Sequence, residues 1–236
     1  MLCCPLAKIG FLRKRQNLSK KRIKAVVFDM DGLMFNTEDL YDQVGQELLS
    51  RRNQSFSNEL KMQLMGLPGP VAYQLIIDQF DLRDSIETLQ RESDEIFSDL
   101  LPREIEMLPG LTDVLLLIES LNLPKAIATS SHQAFASKAL GVFDLEPRFQ
   151  FVLTPSDVTR GKPHPDIYLK AASRFGIEPF EMLVLEDSVH GSRAGVAAGA
   201  LTIAIPGHHS AGGDFSHVHH VEPSLASPRV LEVIRS

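Results

Sequence analysis

The stretch Lys24-Ala25-Val26-Val27-Phe28-Asp29-Met30-Asp31-Gly32 decides how the chain is read. Its first part is β-branched and apolar, reads as a short buried strand, and stops at an acidic, glycine-containing turn. Two carboxylates therefore stand at one strand end. Their two-residue spacing turns Asp29 and Asp31 to the same side, while Met30 turns away.

Downstream the period changes. From Thr37 to about Leu101 the apolar residues recur as in helices, with Leu40, Val44, Leu48 and Leu49 on one face and Leu75, Ile76 and Phe80 on another. Pro109-Gly110 ends that block. A helix is then predicted over Thr112–Leu121, a strand over Lys125–Thr129, a strand over Phe149–Thr154, a helix over Pro165–Phe175, a strand over Met182–Asp187, a helix over Ser192–Ala198 and a strand over Leu201–Ile205. Helices alternating with continuously apolar strands imply an α/β protein, a Rossmann-like three-layer α/β/α core with a mainly parallel sheet. The expected organisation is a basic leader over 1–21, a core domain over 22–37 and 105–236, and an inserted helical cap over 38–104. Because the insert leaves the sheet just after the first strand end, it should cover the crevice where such sheets bind ligands.

Composition limits the alternatives. The chain has 236 residues, 44% of them hydrophobic, enough for a sizeable core. Cys3 and Cys4 are adjacent, so neither an ordinary disulfide nor a spaced zinc site is expected. Apolar runs such as Val114–Ile118 fall far short of the roughly 18 residues of a membrane span, so a soluble, cytoplasmic protein with no membrane partner is expected. Residues 1–24 hold eight basic side chains and no acid, which leaves 16 basic residues against 30 acidic ones in the remainder. A body that acidic makes a poor nucleic-acid partner. The leader lacks the apolar core of a secretory signal and is expected to be a frayed extension of a monomer.

Polar residues stand at four strand ends: Asp29 and Asp31, then Thr129 and Ser130, then Lys162, then Glu186 and Asp187. The topology brings them to one crevice. Several carboxylates there repel one another unless a cation lies among them, and hard oxygen donors of this kind suit Mg²⁺.

Asp29-Met30-Asp31-Gly32-Leu33-Met34-Phe35-Asn36-Thr37-Glu38 resembles the opening motif of the haloacid dehalogenase superfamily phosphatases. Ala128-Thr129-Ser130-Ser131, Gly161-Lys162-Pro163-His164-Pro165-Asp166 and Leu185-Glu186-Asp187-Ser188 resemble its other three motifs, in order. The likeness is nearest the branch of β-phosphoglucomutase and pseudouridine-5′-phosphatase. It implies a covalent reaction in which Asp29 attacks phosphorus to give an aspartyl phosphate, and Asp31 protonates the leaving oxygen and then activates water. It implies that Mg²⁺ is held by Asp29, the Asp31 carbonyl and Asp187, with Glu186 a further or supporting ligand. Thr129 and the Ser130 N–H would bind a phosphoryl oxygen, and Lys162 would balance charge on Asp29 and the transferring group.

The mutases of this branch carry a histidine about twelve residues after the nucleophile and an arginine in the cap. Here Tyr41 stands at the first place and Gly69 near the second, so net hydrolysis is expected ahead of a mutase reaction. A non-catalytic phospho-acceptor or binding module is the reading from another class; the length disfavours the first and the complete set of reactive residues the second. Expected substrate contacts are Asn36, Tyr41, Gln63 and the Gly66–Pro70 loop, all uncharged, which suits a sugar, polyol or nucleoside monophosphate. His208, His209, His217, His219 and His220 do not have the spacing of a closed metal site; they are expected in surface loops, with His217–His220 running into Val221 in a stretch that reads as an edge strand.

Overall fold

A computed structural model describes residues 23–64, 67 and 69–236. The leader 1–21 with Cys3 and Cys4, and Gly66 and Pro68 of the insert loop, lie outside the described residues. The strand that opens the motif, β1 (Ala25–Phe28), is buried along its whole length. It occupies the middle of a six-stranded sheet with β2 (Lys125–Ala128), β3 (Val152–Leu153), β4 (Met182–Glu186), β5 (Leu201–Ala204) and β6 (His220–Val221). The order is β3-β2-β1-β4-β5-β6 and every pairing is parallel. β1 is thus where the winding reverses, with β2 to one side and β4 to the other, the place at which such sheets open a crevice.

Alternation along the strands builds two cores, one on each face. Val26, Phe28, Ile127, Leu183, Leu185 and Ile203 pack with α5 (Leu111–Ser120), α6 (Gln133–Val142) and α9 (Pro228–Arg235). Val27, Ala128, Leu153, Met182 and Val184 pack with α7 (Asp166–Phe175) and α8 (Val189–Ala197). The three-layer α/β class is the one expected from sequence. Three details differ: α6 and α9 were not anticipated, α8 begins at Val189 rather than Ser192, and β3 is only two residues long. Edge position explains β3, since Val152 and Leu153 pair with β2 alone.

Between β1 and α5 the chain runs through α1 (Thr37–Ser50), α2 (Asn58–Leu64), α3 (Gly69–Phe80) and α4 (Ile86–Glu104), with α1 and α3 packed on α4. Arg52, just past α1, forks onto Asp84 at 2.8 and 3.1 Å and reaches Glu92 at 3.0 Å. The chain leaves and re-enters the core through two paired segments. Leu108 N donates to Met34 O at 2.8 Å, Asn36 N to Glu106 O at 3.2 Å, and Phe35 bridges Met107 antiparallel.

Candidate active site

Each polar strand end is placed by the sheet register. Asp29 N donates to Leu185 O at 2.9 Å and Thr129 N to Leu153 O at 3.0 Å, so β1 and β2 carry both residues to the same edge where β4 ends in Glu186 and Asp187. Lys162 arrives from the loop after β3. Its Nζ donates to Asp29 Oδ1 at 2.5 Å, Glu186 Oε1 at 2.7 Å and the Ala128 carbonyl at 2.8 Å, which uses all three ammonium protons. Burial works against this charge, but Asp29 and Glu186 outweigh it and hold the ammonium well above the ordinary lysine range.

Glu186 is fully buried and fully bonded. Oε1 accepts from Lys162 and from the Tyr168 hydroxyl at 2.9 Å, and Oε2 accepts from Ser188 N at 3.1 Å and Ser188 Oγ at 3.0 Å. With four donors on two oxygens it is built to orient Lys162 more than to bind a cation directly. The carboxylate lies over Gly191 in α8, where a Cβ would stand 1.6 Å from Oε1.

Asp29, Glu186 and Asp187 each present an oxygen within 4.8 Å of the others. Burial first, then Glu186 and Asp31, push the Asp29 carboxyl well above the usual range, although Lys162 pulls it down. Burial followed by Asp29, Glu186 and Glu38 does the same to Asp187. One ammonium among three buried carboxylates leaves an excess of negative charge that a hard divalent cation would offset. Gly32, at φ +73°, permits the approach, since a Cβ there would stand 2.5 Å from Asp187 Oδ2.

Asp31 Oδ2 accepts from Thr129 Oγ1 at 2.9 Å and Ser131 Oγ at 2.8 Å, and Thr129 Oγ1 in turn accepts from Ser131 N at 2.9 Å. Oδ1 of Asp31 is buried without a hydrogen-bond partner. Ser131, not the exposed Ser130, therefore reaches Asp31. The Tyr41 ring meets Phe97 at 5.0 Å and Phe135 at 6.2 Å in tilted contacts. Burial of the Tyr41 hydroxyl and the nearby Asp31 push the phenol above its usual value.

Among the expected substrate contacts, Asn36 is placed differently. Its Nδ2 donates to Glu104 O at 3.1 Å and its Oδ1 accepts from Glu106 N at 2.7 Å, so the amide clamps the two segments that join insert and core. Gln63 is exposed. Glu38, Ser131, Tyr168 and Ser188 were not anticipated as site residues. Ser188 had a signal, a serine at a helix start, and its Oγ does cap α8 by accepting from Gly191 N at 3.0 Å. Tyr168 had none, because nothing in its helix says which face meets Glu186.

Residues 26–205 match the family model described as haloacid dehalogenase-like hydrolase. The chain is 31% identical over 181 residues to a phosphorylated carbohydrates phosphatase of Thermotoga maritima, covering 75% of this chain and 82% of that protein. It is 33% identical over 210 residues to the (DL)-glycerol-3-phosphatase 1, mitochondrial, of Arabidopsis thaliana, covering 86% and 70%. Among solved structures it resembles CbbY from Rhodobacter sphaeroides in complex with phosphate, with a TM-score of 0.75, 25% identity and coverage of 87% and 96%.

Proposed function

The chain belongs to the haloacid dehalogenase-like hydrolases, and from that premise we propose that it is a Mg²⁺-dependent phosphatase of a small hydroxylated metabolite, acting through a phosphorylated Asp29. That it is a phosphoric monoester hydrolase follows from its relatives, which are phosphatases. The observation that carries the finer reading is the crevice itself: Asp29 held by Lys162, Asp31 two residues on, and Asp187 opposite.

The donor set fits Mg²⁺. It is all oxygen and short of positive charge, and the neighbouring Asp31 has a buried Oδ1 without a hydrogen-bond partner. Asp29 and Asp187 would hold the ion with the Asp31 carbonyl, and Glu186 would support them through Lys162. When bound, the ion screens the repulsion between Asp29 and the incoming phosphate.

The protein's own groups do the rest. Asp29 attacks phosphorus, the bond from phosphorus to the ester oxygen breaks, and Asp31 gives that oxygen a proton. Asp31 then takes a proton from water as water attacks the phosphorus, which frees inorganic phosphate and Asp29. Thr129 and Ser131 hold Asp31 in place between the two steps. Lys162, desolvated and fixed by three acceptors, stabilises the charge on the transferring group without reorganising.

The leaving group faces the insert. Lys61 of α2 is already paired with Asp42 and His209, and Glu38 is a carboxyl raised by burial and by Asp31. A second phosphate there would meet Glu38 and Asp42, and the Lys61 beside them is already paired. The surroundings favour neutral hydroxyls, as on a polyol or sugar phosphate, over a bisphosphate.

The test is release of inorganic phosphate with Mg²⁺ from p-nitrophenyl phosphate and from a panel of polyol, sugar and nucleoside monophosphates, ranked by kcat/KM, with Asp29→Asn alongside. Expected are a preference within the uncharged leaving groups and a loss of at least about a thousandfold in folded Asp29→Asn. Conversion of a sugar phosphate to an isomer without phosphate release would make the protein a mutase, and inertness toward the whole panel would overturn the reading.

A further inference from the structure

We infer that Asp39, His208 and His209 form a second metal site, selective for zinc-like transition ions, that ties α1 of the insert to the loop after β5. The two histidines lie in a turn of the loop after β5, as expected, yet the His209 side chain is only 12% exposed. Both adjacent rings aim Nε2 at the same atom: Asp39 Oδ1 lies 2.9 Å from His209 Nε2 and 3.4 Å from His208 Nε2. The rings are 3.5 Å apart at their centroids, and the three potential ligand atoms lie within 4.8 Å of one another.

These separations resemble the edges of a zinc tetrahedron. Ligands about 2.0–2.1 Å from a tetrahedral ion stand roughly 3.3–3.4 Å from each other. Small movements of exposed side chains suffice to reach that geometry, because Asp39 and His208 are 45% and 72% exposed. Two imidazoles and one carboxylate select zinc, nickel or copper over Mg²⁺, which prefers oxygen alone. Solvent supplies the remaining ligand.

Lys61 sets the starting protonation. Its ammonium lies 2.7 Å from His209 Nδ1 and has only protons to give, so Nδ1 accepts and Nε2 carries the hydrogen that is donated to Asp39. On binding, that proton moves from Nε2 to Nδ1 and Nε2 gives its lone pair to the ion; the Lys61–Nδ1 hydrogen bond breaks, and Lys61 turns from the ring to Asp42, with which it is already paired. No net proton is released by His209. The cluster draws on two distant parts of the chain, so an ion held there bridges insert and core.

The experiment titrates the full chain with Zn²⁺ in excess Mg²⁺ by calorimetry, and with Co²⁺ by visible absorption, so that the readout is binding rather than turnover and stands apart from the phosphatase reading. One equivalent of Zn²⁺ should bind in spite of the Mg²⁺. His208→Ala and Asp39→Asn should each weaken it at least about tenfold and remove the Co²⁺ bands. His220→Ala, in β6, and Asp187→Asn, in the carboxylate crevice, should leave it intact. The site is refuted if zinc does not bind in excess Mg²⁺, or if His208→Ala/His209→Ala binds it as tightly as the parent. Loss of zinc in Asp187→Asn would place the ion in the crevice and equally overturn the assignment.

Discussion

Replacing Asp187 by asparagine should make the metal-free protein more stable while removing its response to Mg²⁺. The side chain keeps its shape and loses a charge that nearby carboxylates oppose. An oxygen of Asp187 lies within 4.8 Å of one on Asp29 and one on Glu186. At an effective dielectric constant of about 20, each such pair repels by about 3.5 kcal/mol; Glu38 adds to the repulsion and Lys162 relieves only part of it. Taking up a proton at pH 7 against a reference near 3.9 limits the penalty to about 4 kcal/mol. The variant should therefore gain about 2–4 kcal/mol in EDTA, a rise in Tm of roughly 5–15 °C for a chain of this size.

The pH dependence follows from the direction of the shift. A carboxyl raised in the folded state binds more protons there than when unfolded, so it stabilises below its unfolded value, near 4, and that contribution is lost as pH rises through the raised folded value. In EDTA the parent should lose stability from about pH 4 upward more steeply than Asp187→Asn, and the two should converge near pH 4. Thermal unfolding followed by circular dichroism at several pH values, with EDTA and with excess Mg²⁺, measures both effects. A lower Tm for Asp187→Asn in EDTA at pH 7, or an equal Mg²⁺-induced rise in both proteins, would refute the account of the crevice as a set of mutually repelling carboxylates awaiting a cation.

Asp31→Asn should give a burst of up to one equivalent of p-nitrophenol followed by turnover about 10²–10⁴-fold slower than the parent, because a good leaving group needs no acid but the aspartyl phosphate still needs a base; steady turnover at the parent rate in rapid mixing would remove Asp31 from proton transfer. Arg148, then Lys125, pulls Glu119 down to about 2, so its contribution is present above about pH 4.5 and is lost as pH falls toward 2. Since Glu119 is a third exposed, solvent screening reduces what that shift is worth, and Glu119→Gln should cost about 1–2 kcal/mol at pH 7 and nothing near pH 2 by denaturant titration. A cost that persists at pH 2 would assign the loss to packing of α5.

β1, β2, β4 and β5 were legible because each is a short, mostly apolar and buried run between turn residues. Helix α6 was not, since Gln-Ala-Phe-Ala-Ser-Lys-Ala-Leu-Gly-Val buries only Ala136, Ala139 and Leu140, and small residues make a faint stripe. Helix α9 carried readable signs, Pro228 in its first turn with Val230 and Ile234 buried on one face, and escaped notice because it follows an irregular stretch. In the crevice, the candidate positions Asp29, Asp31, Thr129, Glu186 and Asp187 could be read because strand ends bring them together. Their supports could not. Tyr168 on Glu186, Ser131 on Asp31 and the missing Cβ of Gly191 depend on how α7, α8 and the loop after β2 seat on the sheet, which a one-dimensional pattern leaves open. Asn36 shows the converse, a polar residue in a reactive motif whose amide fastens backbone.

The clamp at Asn36 has a consequence for how such a chain can diversify. Because the segments at 34–36 and 105–108 are bonded to each other, the core sees the whole excursion from Thr37 to Glu104 as a loop that departs and returns at one spot. Its closure entropy is met locally by the clamp, whatever lies between. A foreign helical unit spliced at the same two points, or none at all beyond a short turn, leaves the sheet's wiring untouched, so recognition can be exchanged as a cassette while the chemistry stays on the strands.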